Sequence, residues 1–118
     1  MSMKSWTYNP NSGGTKISPK MHEEICQKVE SFACTRPWYP NIQLKARFKG
    51  QFCYIDTVEQ RDGEERLFPL CRLRRLNGGW SMALFTWSNE RYSPCIFPNG
   101  QWEGTIEGAL AVCDPMII

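Results

Sequence analysis

The sequence predicts an α+β fold: an antiparallel meander sheet of four or five strands, with one helix before it and one after it. Three observations predict it. Ile42, Leu44, Ala46 and Phe48 alternate with Gln43, Lys45, Arg47 and Lys49, the period of a half-buried strand. Asn77-Gly78 is the strongest short hairpin signal in the chain. Ahead of both, Met21, Ile25, Val29 and Phe32 recur at helical spacing.

At 118 residues the chain has the length of one domain with a single modest core. Five Trp, four Tyr and six Phe are many for that size, and aromatic burial supports a compact fold without disulfides. The net charge of +2 is too near neutral to argue for nucleic acid, so any basic patch must come from local arrangement. No apolar run approaches membrane-spanning length. No secretory apolar stretch opens the chain, which makes a cytoplasmic address the expectation. The six cysteines (26, 34, 53, 71, 95, 113) are scattered without a C-x-x-C pair. An even count suggests bridges in a secreted chain, but without a signal segment reduced thiols are expected. A single His and dispersed thiols leave no zinc set, and no metal or cofactor is expected.

Residues 1–17 read as an N-terminal arm and 18–118 as the domain. The arm carries Asn9-Pro10-Asn11-Ser12-Gly13-Gly14, turn and linker chemistry, with Trp6 and Tyr8 as anchors for docking on this subunit or a neighbour. Ser18 is expected to cap the first helix and Pro19 to occupy its first position. Thr35-Arg36-Pro37 ends that helix near Cys34.

Gly50-Gln51 supplies a two-residue hairpin loop. It pairs Phe48 with Cys53, Ala46 with Ile55 and Leu44 with Thr57 on one face. The other face pairs Lys49 with Phe52, Arg47 with Tyr54 and Lys45 with Asp56. A loop at Asp62-Gly63 leads to a third strand over Leu67–Leu76. The Asn77-Gly78 turn then sets Leu73 against Met82 and Cys71 against Leu84. Its reverse face sets Arg74 against Ser81, Arg72 against Ala83, Leu70 against Phe85 and Phe68 against Trp87. A shorter strand, Tyr92 to Phe97, returns to a Pro98-Asn99-Gly100 turn. Thr105 caps a last helix with Leu110 and Cys113 inward, closed by Asp114-Pro115.

The two hairpins sort side chains consistently. Leu44, Ala46, Phe48, Cys53, Ile55, Cys71, Leu73, Met82 and Leu84 form an apolar face for the helices to cover. The opposite face carries Lys45, Arg47, Lys49, Arg72 and Arg74 among Phe52, Tyr54, Phe85 and Trp87. Aromatics between cations are how open sheets hold single-stranded nucleic acid. The plainer alternative is long cations lying over rings on a wet face. Ser88-Asn89-Glu90-Arg91-Tyr92 is the densest polar cluster. As a recognition loop it offers Arg91 to an anion and Asn89 to a hydrogen-bonding partner. As local structure it is a tight turn at Asn89, a Glu90–Arg91 pair and Tyr92 packing as the strand resumes. The candidate binding residues are therefore Arg47, Tyr54, Arg72, Arg74, Phe85, Trp87, Asn89, Arg91 and Tyr92.

Catalytic sets are sparse. His22 stands one helical turn before Cys26, the spacing of a Cys–His pair, but Cys26 also falls beside the apolar stripe and reads as packing. The carboxylates Asp56, Glu59, Asp62, Glu64, Glu65, Glu90 and Glu103 show no acid–base spacing. Gly78-Gly79 joins two strands and opens no helix, so it cradles no phosphate.

Phe52-x-Tyr54-x-Asp56, Cys71-Arg72-Leu73-Arg74, Trp80-x-x-Ala83, Ser88-Asn89-Glu90-Arg91-Tyr92, Phe97-Pro98-x-Gly100 and Gly104-Thr105 resemble a family of small uncharacterised bacterial proteins. The likeness covers roughly residues 44 to 113 and implies no catalytic residue. Where that family's last helix starts Gly-Thr-Pro-Glu-Glu-Ala, this chain reads Ile106-Glu107-Gly108, which weakens the helix nucleus by up to ~1 kcal/mol at the glycine. Proteins of this size with an added N-terminal arm also turn up as mobile gene cassettes, an association only. The resulting expectation is a non-catalytic interaction module, not an enzyme. It self-associates through the exposed sheet face, where Phe68, Leu70, Phe85 and Trp87 form a patch, or through the N-terminal arm. Single-stranded nucleic acid or another anion on the same face is the alternative, and a thiol enzyme using Cys26 and His22 the third reading. No membrane partner is expected.

Overall fold

Pro19 opens the first helix, α1 (Pro19–Ala33), in a computed structural model that describes residues 14–117. The anchors Trp6 and Tyr8 and the residue Ile118 lie outside the described residues. Ser18 takes the extended N-cap conformation, but its hydroxyl makes no capping bond. The Ser18 carbonyl instead accepts from the Met21 amide at 3.0 Å. Five strands follow: β1 (Ile42–Lys49), β2 (Phe52–Arg61), β3 (Glu64–Arg75), β4 (Trp80–Thr86) and β5 (Arg91–Cys95). They form one antiparallel meander in the order β1-β2-β3-β4-β5. The helix α2 (Ile106–Cys113) and a 3-10 turn (Asp114–Met116) close the described chain. The fold is α+β, with a helix on each side of the sheet in sequence.

Both tight reversals set the expected registers. Phe48 opposes Cys53, Ala46 opposes Ile55 and Arg47 opposes Tyr54. Leu73 opposes Met82, Cys71 opposes Leu84 and Arg72 opposes Ala83. The apolar face meets α1 and α2. Ile25 and Val29 of α1, Cys53, Ile55, Cys71, Leu73 and Met82 of the sheet, and Leu110 and Cys113 of α2 are buried together. Met21, Phe32, Ala46, Phe48 and Leu84 pack against them from the rim. A fully buried apolar side chain of this kind contributes ~1.5–3 kcal/mol.

Three boundaries differ from expectation. β3 begins at Glu64, before the expected Leu67, because Asp62 (φ 50°) and Gly63 (φ 79°) form a two-residue turn that lets Arg61 oppose Glu64. β5 ends at Cys95, before the expected Phe97. Phe97 turns inward to a buried position, and its amide donates to the Gln101 carbonyl at 2.8 Å. The third difference changes a face. The β2–β3 register shifts between Ile55 and Asp56, so that Ile55 opposes Cys71 while Asp56 opposes Pro69. Leu70 has no ladder partner at this bulge and turns into the core at 7% exposure. The expected Leu70–Phe85 and Phe68–Trp87 strand pairs do not form, since the β3–β4 ladder stops at Cys71–Leu84. Phe68 opposes Thr57 instead.

Residues 14–17 round one end of the sheet. Ile17 is buried in the core, and its amide donates to the Gly50 carbonyl at 2.9 Å. The Thr15 amide donates to the Arg75 carbonyl at 2.8 Å, and Arg75 Nη1 donates to the Lys16 carbonyl at 3.2 Å.

Candidate functional site

The register places Arg47, Tyr54, Arg72 and Ala83 in one cross-strand row on the face turned away from the helices. Side chains directly opposite or diagonal across such a row are close enough to interact. The Arg47 guanidinium lies over the Tyr54 ring at 4.5 Å. The Arg72 guanidinium lies over Phe52 at 4.5 Å and over Tyr92 at 5.4 Å. Each is a cation over a ring face, worth about 0.5–1 kcal/mol at exposed sites.

The rings themselves form a continuous chain. Phe52 and Tyr54 have centroids 6.2 Å apart, Tyr54 and Tyr92 5.6 Å, and Tyr92 and Phe85 5.3 Å. Phe85 and Trp87 follow at 4.8 Å, then Trp87 and Phe68 at 6.2 Å. Most of these pairs meet edge to face, the favoured aromatic geometry. Tyr54 on β2 and Tyr92 on β5 thus reach each other across β3 and β4. Burial pushes the Tyr92 phenol up from its ordinary value.

Under this layer sits the carboxylate of Asp56, which opposes Lys45 in the ladder as expected and bonds to Arg47. Asp56 is 3% exposed, and its Oδ2 accepts from Arg47 Nε at 2.7 Å while Oδ1 accepts from Arg47 Nη2 at 3.4 Å. The charge-assisted bond to Asp56 raises the Arg47 pKa further. The available signal was the exposure of Lys45 against the diagonal reach of an arginine from the neighbouring row.

Arg74 does not join the offered surface. It is 6% exposed, and a Cβ at Gly14 would stand 2.9 Å from its Cγ. The chain entering from residue 14 lies on this side chain. Asn89 and Arg91 are tied into their turn. Thr86 Oγ1 is within hydrogen-bonding reach of Asn89 Oδ1 and stands 2.9 Å from the Arg91 carbonyl oxygen. Glu90 takes φ 50° to close the reversal. The expected Glu90–Arg91 pair does not form: among the described residues the ion pairs are Arg36–Asp114, Arg47–Asp56 and Arg61–Glu59. Trp87, at the head of that turn, is 59% exposed.

Beside Trp87 opens a groove of about 530 Å³, lined by Ile42, Phe68, Leu70, Phe85, Trp87 and Met116 together with the polar Thr57, Glu59 and Arg61. It forms where β3 runs on past the end of β4. Sequence reading found the aromatic half of it. Ile42 and Met116 come from distant segments, and no local pattern joins them to the rest. No protein-family model, curated protein or solved structure matches this chain.

The remaining reactive groups are placed apart. His22 stacks on Phe48, with ring centroids 3.9 Å apart and planes 5° from parallel. Cys26 is exposed, not packed against the stripe as its position implied. All six cysteines are free thiols. Burial pushes the Cys53 thiol up to about 12, and a hydrogen bond with Cys113 followed by burial raises Cys71 well above the ordinary thiol range. Neither is a thiolate nucleophile near neutral pH. Among the described residues no group of three or more His, Cys, Asp or Glu side chains could hold a metal. Nor is any described helix long and apolar enough to cross a membrane.

Proposed function

We propose that this protein is a non-catalytic interaction module that self-associates through the Trp87 end of its outer sheet face. The observation that carries this reading is the aromatic chain from Phe52 to Phe68, which includes the largely exposed indole of Trp87 beside a groove of mixed apolar and polar lining. Large contiguous apolar surface is unusual on a monomer. Rigid aromatics filling grooves, with a polar rim, are the usual anchors of protein contacts. Here Thr57, Glu59 and Arg61 line the same groove as its polar part.

Single-stranded nucleic acid ranks second on the same face. Base stacking needs open ring faces, and guanidiniums already lie over Phe52, Tyr54 and Tyr92. Asp56 also offsets the charge of Arg47. Both count against it.

Light scattering on size-fractionated protein across a wide concentration range tests the proposal. A concentration-dependent dimer is expected, shifted toward monomer by Trp87→Ala with the fold retained by circular dichroism. A wild-type chain that stays monomeric to its solubility limit removes the reading.

A further inference from the structure

We propose that two copies of this chain join edge to edge through the free end of β3, with Glu65 of each copy hydrogen-bonded to the partner's Leu67. The pairing rests on the proposed self-association and gives it a geometry. It lies at the same end of the sheet, where Phe68 of β3 and Glu59 and Arg61 of β2 line the groove beside Trp87.

Backbone geometry carries the argument. The β3–β4 ladder stops at Cys71–Leu84, whereas β3 starts at Glu64, so its first residues pair with β2 alone. Arg61 and Glu64 close a two-residue turn, and a pair closing such a turn exchanges both of its backbone bonds. Alternation makes Glu59–Arg66 and Thr57–Phe68 the next bonded pairs and leaves Glu65 and Leu67 in the unbonded ones. The N–H and C=O groups of Glu65 and Leu67 therefore point away from β2. Among the described residues no backbone group meets them there, and Leu67 is 46% exposed. Such a row is a template for another strand.

A second copy fits this edge. One antiparallel register uses every outward group: Glu65 opposite the partner's Leu67, and Leu67 opposite the partner's Glu65. The twofold axis of this self-complementary contact then passes at Arg66. Glu64 and Arg66 share one side of the ribbon, where they already oppose Arg61 and Glu59. Across the axis Arg66 meets its own copy, with the partner's Glu64 on the diagonal, within reach of long side chains. Acids and bases are equal in number among Glu59, Arg61, Glu64 and Arg66, so the joined patch alternates in sign. The outer edges of the sheet oppose a copy instead. β1 carries Lys45, Arg47 and Lys49, and like charges facing one another work against pairing. β5 is 5 residues long and contains Pro94, which has no amide to offer.

Amide hydrogen exchange on the full chain tests the pairing, run at concentrations where light scattering reports monomer and dimer. The Glu65 and Leu67 amides should exchange about tenfold more slowly in the dimer, while those of Arg66 and Phe68, bonded to β2 in both states, change little. Leu67→Pro removes an outward donor without breaking the β2 ladder, and proline is tolerated on such an edge. It should weaken dimerisation about tenfold with the fold retained by circular dichroism. Arg66→Glu sets like charges around the axis and should weaken it several-fold, and adding Glu64→Arg should recover most of that loss. A dimer whose Glu65 and Leu67 amides exchange as fast as in the monomer overturns the pairing and leaves the self-association reading standing. So does a double swap that dimerises no better than Arg66→Glu alone. If Leu67→Pro unfolds, the exchange pattern and the charge swap still decide. A chain that is monomeric at every concentration removes both the pairing and the reading it rests on.

Discussion

Arg47 and Asp56 divide their ion pair unequally between water and protein. The arginine side chain is 53% exposed, while the carboxylate beneath it is almost closed off. Arg47 is at once the polar roof of Asp56 and the cation over Tyr54. The pair therefore joins the charge of β1 to the aromatic layer of the face.

Arg47→Ala should leave a buried carboxylate with its main donor gone. A surface pair would be worth under ~1 kcal/mol, and stranding a fully buried charge costs about 3–5 kcal/mol. Water can replace a half-exposed guanidinium, so a loss of about 1–3 kcal/mol is expected. Adding Asp56→Asn to Arg47→Ala should recover part of it. Urea unfolding at neutral pH measures both, and a loss within ±0.5 kcal/mol of zero for Arg47→Ala would contradict the assignment.

The two helix starts make a matched comparison. Thr105 Oγ1 accepts from the Gly108 amide at 3.0 Å, whereas the Ser18 hydroxyl caps nothing. Thr105→Ala should cost ~1 kcal/mol, the usual loss of an N-cap. Ser18→Ala should cost only a few tenths of that, roughly within ±0.5 kcal/mol of wild type. Equal losses in thermal or urea unfolding would mean that Ser18 caps in solution.

Much of this architecture was readable in advance because two reversals determine it. Gly50 and Asn77-Gly78 are local signals with defined geometry, and a register error of one residue would have exposed Leu44, Ile55 and Leu73 together. The bulge was harder. Its signal was Pro69, which has no amide for the ladder and so favours an irregularity where a central strand was expected. Even so, only packing shows that Leu70 is the residue turned inward. The burial of Arg74 was not legible for another reason. Its cover comes from Gly14, distant in sequence, and alternation within a strand carries no information about what crosses it. Ser18 shows a third limit: residue type permits a cap, but the rotamer decides it.

The buried thiols should contribute to a loss of stability at alkaline pH. Folded Cys53 holds its proton up to about 12, and Cys71 is shifted in the same direction, while an unfolded thiol ionises near ~8.5. Below ~8.5 both states keep the proton and the thiols add no pH dependence. Above it the unfolded chain releases protons that the folded chain retains, so stability falls as pH rises. The loss continues until Cys53 itself ionises in the folded state, near 12. Each such thiol contributes a slope of up to ~1.4 kcal/mol per pH unit in that window. Lysines and tyrosines titrate in the same range, so the comparison must be between variants. Urea midpoints measured with reductant present should stay level in this respect up to pH ~8.5 and then decline. Cys53→Ala lowers the whole curve by leaving a small cavity, but its alkaline decline should be shallower than that of wild type. Parallel declines would mean that Cys53 does not hold its proton in the folded chain.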